Sequence, residues 1–223
     1  MSGRAVRPFR WDLAARLPDL TRVPALVEPW SDFRDDLLRL TARIVRRAGD
    51  ADLVFVGRSL ESVHDLLGGL LAGSSWAGRA RLLPFSAMGP FLDLEALGGP
   101  GLRAHFAAAG LDPLALVRSR RPIALVDVVA SGETLGRVVA TVRRWCREER
   151  GDAAAVWRKL SIVAVRDRSA GRRFDWRVEE EGAAWLAGVP ALRVGSLHIE
   201  DRLWFHLADR QPKVTPSHTP DRW

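Results

Sequence analysis

Residues 122–136 read Pro-Ile-Ala-Leu-Val-Asp-Val-Val-Ala-Ser-Gly-Glu-Thr-Leu-Gly. An apolar run, Ile123 to Val126, meets a single acid, Asp127. A loop of small residues follows, Ala130-Ser131-Gly132-Glu133-Thr134, and a helical pattern begins directly after it. A continuous apolar run bounded by turn residues and followed by a helix reads as a buried strand of a parallel sheet. The C-terminal end of such a strand presents Asp127 to a crevice. The loop aims backbone N–H groups, the hydroxyls of Ser131 and Thr134, and a helix N-terminus at one point. That suits a phosphate, because unpaired amides and the helix dipole both favour an anion. Gly132 permits a positive φ or a close backbone approach. The plainer reading of the same residues is a strand–loop–helix unit that binds nothing.

Outward from this stretch the alternation repeats. Residues 51–59, Ala-Asp-Leu-Val-Phe-Val-Gly-Arg-Ser, form a second apolar run, followed by a helix with Leu60, Val63, Leu67, Leu70 and Leu71 on one side. Arg79 to Ser86 gives a short strand whose Pro84 argues for an edge or a strand end. Lys159 to Arg166 reads as a further parallel strand, Ala191 to Gly195 as a short one, and Phe174 to Val178 as an edge strand. Ser31 is placed to cap a helix carrying Phe33, Leu37, Leu40 and Ile44 and ending near Gly49. Leu135, Val138, Val139, Val142 and Cys146 recur at helical spacing, which makes Cys146 a packing residue and not a nucleophile. The expected fold class is α/β: a doubly wound, mainly parallel sheet with helices on both faces, a helical insertion and C-terminal decorations. The chain divides into an N-terminal extension (1–30), one domain (31–210) with an insertion at 87–121, and a tail (211–223). Helical patches inside the insertion run from Leu102 to Ala109 and from Pro113 to Val117. It reads either as a lid or as a subdomain crossing the sheet.

Composition narrows the class. With 223 residues, 47% of them hydrophobic and 27% charged, the chain can bury a proper core. No apolar run is long enough for a transmembrane helix, and the first residues lack the apolar segment of a signal peptide. The single cysteine rules out an internal disulfide. A cytoplasmic location is the default. A net charge of +7 and a pI near 11 fit an anionic partner, whether a nucleic acid or a phosphorylated small molecule, or simply an Arg-rich proteome. The nine Trp residues sit mostly in apolar patterns, as packing groups do.

At residues 123–134 the chain resembles the type I phosphoribosyltransferase family. That signature runs through an apolar stretch, two acids, an apolar pair and a small, hydroxyl- and Gly-rich loop ending in Thr. Val128 and Val129 stand at the apolar pair, Ala130, Ser131, Gly132, Glu133 and Thr134 at the loop, and Asp127 at the second acid; Val126 stands in place of the first. The resemblance implies that the loop holds the 5′-phosphate of phosphoribosyl pyrophosphate (PRPP) or of a nucleoside 5′-monophosphate. It implies that Asp127 holds the ribose hydroxyls as the catalytic acid of the site. Gly57, Arg58 and Ser59 occupy the place of the family's pyrophosphate loop, with Arg58 as a bidentate clamp and Ser59 as a ligand contact or a helix cap. Mg²⁺ carried by the ligand is the implied cofactor. The implied activity is transfer of a phosphoribosyl group to or from a nitrogenous acceptor.

Two further readings stand beside it: a PRPP- or nucleotide-sensing module without transfer activity, favoured by Val126, and a nucleic-acid-binding protein, for which no matching motif is present. No membrane partner is expected, and a homodimer is one assembly the reading admits. No resident metal site is expected: His198, Glu200 and Asp201 lie too close in sequence to surround one ion. His105 reads as a packing residue. Trp204 and Phe205, with Asp209 and Arg210, read as an amphipathic packing helix or as groups over the acceptor.

Overall fold

The computed structural model describes residues 30–86, 100–169, 184–189, 191–211 and 213. Most of the N-terminal extension, the first part of the insertion, the Phe174–Val178 segment and the end of the tail lie outside the described residues. Five strands form one sheet: β1 (Asp52–Val56), β2 (Ala80–Leu83), β3 (Ile123–Val128), β4 (Leu160–Asp167) and β5 (Arg193–Ile199). All neighbours pair in parallel, in the order β2-β1-β3-β4-β5. The helices are α1 (Phe33–Ala48), α2 (Glu61–Leu70), α3 (Pro100–Ala108), α4 (Pro113–Arg118), α5 (Glu133–Glu148), α6 (Ala153–Arg158) and α7 (Asp201–Phe205). A π-helical turn, His206–Arg210, continues α7.

The alternation of side chains along each strand explains the two layers. Leu53 and Phe55 of β1, Ala124 and Val126 of β3, and Val163 and Val165 of β4 pack with Leu40 and Ile44 of α1, Val63 and Leu67 of α2, and Leu203 of α7. The intervening residues Val54, Val56, Leu125, Ile162 and Ala164 face the other way, onto α3 to α6. A strand covered on both faces has to be apolar at consecutive positions, which is why β3 reads as an unbroken run. The described part of the insertion is a crossover. Leu102 and Phe106 of α3, Leu111 and Leu116 of α4 are buried in the layer beneath the sheet, and His105 is buried with them. Asp112 caps α4 by accepting a hydrogen bond from the Ala115 amide, with Pro113 at the first helical position.

Several expectations need correction. Ser31 does not cap α1: Asp32 holds the cap position, without a side-chain cap bond, and the Ser31 hydroxyl donates to the Asp32 carboxylate instead. Strand β5 begins two residues later than expected and runs on to Ile199, because pairing with β4 continues to Asp167 opposite Ile199. Strand β2 is an edge strand, in keeping with Pro84 directly after it. Cys146 is buried on α5, where burial raises its thiol pKa.

Asp52 joins β1 to β2. Its carboxylate accepts from Arg79 Nε at 3.1 Å and from Arg81 Nη2 at 2.9 Å, and the buried Arg79 also lies 3.4 Å from the centre of the Trp76 ring. Asp52→Ala leaves a buried guanidinium short of its counter-charge and is expected to cost about 1–3 kcal/mol. Chemical denaturation checks it; an unchanged midpoint would show that the pair is only decorative.

Candidate functional site

The winding of the chain creates the site. From β1 the chain crosses to β2 on one side through α2. From β2 it crosses back over the other face, through α3 and α4, to β3 on the far side of β1. The loops after β1 and β3 therefore diverge to opposite faces and leave a crevice at the carboxyl ends of the two strands. In open α/β sheets, ligands bind at this reversal. Phe55 lies opposite Val126 in register, so the two loops start side by side.

A cavity of about 370 Å³ occupies the reversal, lined by Gly57, Arg58, Ser59, by residues 127–134, and by Trp204, Asp209 and Lys213 among others. Its size falls in the range of small-molecule sites. Every residue assigned from the sequence to the site lines it: Asp127, Val128, Val129, Ala130, Ser131, Gly132, Glu133 and Thr134 from one loop, Gly57, Arg58 and Ser59 from the other. Gly132 sits at the start of α5 with φ of 83°, which only glycine adopts without strain. No described residue accepts a hydrogen bond from the amides of Ser131, Gly132 or Thr134. Those donors and the dipole of the α5 helix converge on the crevice. The Glu133 carboxylate is drawn aside by Arg137, whose Nη2 donates to it at 2.7 Å.

Gly57 turns with φ of 73°, and a Cβ there would come within 3.9 Å of Asp127 Oδ1. The two loops are thus in near contact at the carboxylate. Ser59 is not the cap of α2; Leu60 holds that position without a side-chain cap bond. Its carbonyl accepts instead from Gln211 Nε2 at 2.6 Å, and Ser62 Oγ donates to Gln211 Oε1 at 2.6 Å. Gln211 is only 5% exposed. It fastens the end of the C-terminal helix to the β1–α2 loop and so brings Lys213 into the crevice. The sequence reading assigned 211–223 to a tail and missed both residues. A polar pair after an amphipathic helix carries no local signal of such a contact.

Asp127 is 7% exposed. Burial pushes its carboxyl well above the usual aspartate range, against the pull of the Val128 amide and of Lys213. Lys213 is lowered to about 8, mainly by burial and further by Arg58, with Glu61, Asp209 and Asp127 opposing. Among the described residues, the buried Trp204 indole N–H has no acceptor. A buried donor left unpaired is costly in a folded protein. Val126, at the place of the family's first acid, is fully buried on the α1–α2 side, so Asp127 is the only acid that β3 brings to the crevice.

A larger hollow of about 420 Å³ lies at the opposite, amino-terminal edge of the sheet, lined by Arg47, Asp50, Pro122, Arg193 and Gly195 among others. The carboxyl end of α1 faces it, where the helix dipole is negative, and none of its described lining residues begins a helix.

The perturbed carboxyl predicts a cost in stability. The folded-state pKa of Asp127 lies above its ordinary value of 3.8, so ionising it works against the fold as pH rises above that value. Asp127→Asn is expected to melt higher than the wild type at neutral pH, by roughly 2–4 °C per kcal/mol relieved. The gap should close as pH falls towards 3.8. A variant that melts lower at neutral pH would mean that the carboxylate is held by partners strong enough to offset its burial. No known family model, curated protein or solved structure matches the chain.

Proposed function

We propose that the carboxyl-edge crevice binds a phosphoribosyl compound, PRPP or a nucleoside 5′-monophosphate, and that the protein is a phosphoribosyltransferase-like enzyme. The observation that carries the reading is the meeting of Gly57–Ser59 and Asp127–Thr134 around one cavity at the reversal of the sheet. The 5′-phosphate sits on the amides of Ser131, Gly132 and Thr134 with the hydroxyls of Ser131 and Thr134. Asp127 receives the ribose hydroxyls, and Arg58 clamps the pyrophosphate end. Transfer chemistry of this class forms little that is covalent with the protein. Its rate comes from holding C1 of the ribose and the attacking nitrogen in line, and from stabilising charge on the departing pyrophosphate.

A second reading is favoured by one feature. Val126 is core, and Asp127 is buried to a degree that favours its neutral form. A site with one reluctant carboxylate suits a module that binds the ligand without turning it over.

Calorimetric titration with PRPP, run beside an assay for pyrophosphate release over a panel of nitrogenous bases, separates the two. Binding with release identifies the enzyme, and binding without release identifies the sensor. Thr134→Val and Arg58→Met are each expected to weaken binding about tenfold or more, as loss of a charge-assisted hydrogen bond does, while melting like the wild type. Wild-type affinity in both variants would place the ligand elsewhere.

A further inference from the structure

Lys213 has no counterpart in the phosphoribosyltransferase signature, yet it lines the same cavity as Arg58, Asp127 and the α5 N-terminus. It is held there. Its Nζ donates to the Leu207 carbonyl, and Gln211, two residues earlier, bonds Ser59, Ser62 and Leu207. The charged groups acting on it are Arg58 and Glu61 from the β1–α2 unit, Asp127 from β3 and Asp209 from the π-helical turn that precedes it, and its charge acts in turn on His206.

The donor set suits a hard divalent cation poorly. Mg²⁺ takes oxygen ligands in near-ideal octahedral geometry, commonly one or two ionised carboxylates together with substrate phosphates. Here β3 offers one carboxyl, which is almost wholly buried, already accepts from the Val128 amide and is pushed towards its neutral form. The Glu133 carboxylate is paired with Arg137. Asp209, on the π-helical turn just before Lys213, lines the same cavity and interacts with its charge, so a cation approaching it meets an ammonium. An anionic ligand meets the reverse: an ammonium, a guanidinium and a helix N-terminus around one space.

We propose that the crevice takes its phosphoribosyl ligand without a divalent cation, with Lys213 supplying the positive charge that ligand-borne Mg²⁺ supplies in the family. This rests on the phosphoribosyl reading above. Lys213 acts as a binding and charge-neutralising residue, and the C-terminal segment becomes part of the site.

The test is calorimetric titration of the full chain with PRPP, once with excess Mg²⁺ and once with EDTA, for the wild type, Lys213→Met and Lys213→Arg. The expected result is wild-type affinity that differs by less than about threefold between the two conditions. It should fall as pH rises through about 8, where Lys213 loses its proton. Lys213→Met should bind about ten- to a hundredfold more weakly in EDTA and lose that pH dependence. Lys213→Arg should retain most of the affinity and hold it to higher pH. Wild-type binding that requires Mg²⁺, or unchanged binding by Lys213→Met, overturns this inference and leaves the phosphoribosyl reading standing. No binding of PRPP by the wild type under either condition overturns both.

Discussion

The parallel pairing of β1 with β3 is the constraint on which the site depends. These strands are neighbours in space although β2 and the insertion separate them in sequence, and the connections on either side lie on opposite faces of the sheet. Neither loop can close over the other. The sheet's own hydrogen bonds therefore hold open a crevice bounded by the two strand ends, and the Phe55–Val126 register fixes how closely the loops approach. Shifting that register by one residue would turn Asp127 to the other face and Val126 to the crevice, because side chains alternate along a strand.

The site combines groups of opposite cost. Amides at the start of α5 and a buried indole N–H, without acceptors among the described residues, are donors that a folded chain normally satisfies internally. A carboxyl is buried near the end of β3, and a lysine is brought partly out of water beside an arginine. Each feature alone weakens the fold. On the proposed reading, those that line the cavity of about 370 Å³ meet a ligand with an anionic end and hydroxyl groups. Perturbed titratable groups gather at functional sites for this reason. The apolar layers on both faces of the sheet, with Phe55, Leu125, Leu40 and Ile44 fully buried, provide the stability against which such features can be held.

Much of this was legible in the sequence because it is local. The apolar run of β3, the small-residue loop and the apolar spacing of α5 lie within one stretch, and Gly132 marks the left-handed residue directly. Gly57-Arg58-Ser59 after a second apolar run is of the same kind. Contacts between remote segments were not legible. The Gln211 bonds to Ser62 and Ser59 span 149 and 152 residues, and no periodicity announces them. Serines before helices were misleading for a related reason: Ser31 and Ser59 are both good caps by type, but each backbone enters its helix one or more residues later. Strand β5 was seen short because Ser196 and His198 interrupt its apolar pattern. Pairing with β4 recruits them regardless, since the ladder is built from backbone groups.

The central claim is that a sugar phosphate is held where β3 passes into α5. A crystal structure of the protein soaked with ribose 5-phosphate tests it most directly. The expected result is phosphate density within hydrogen-bonding distance of the amides of Ser131, Gly132 and Thr134, with the ribose hydroxyls towards Asp127. Phosphate bound instead among Arg47 and Arg193 at the opposite edge of the sheet, with the carboxyl-edge crevice empty, would contradict it.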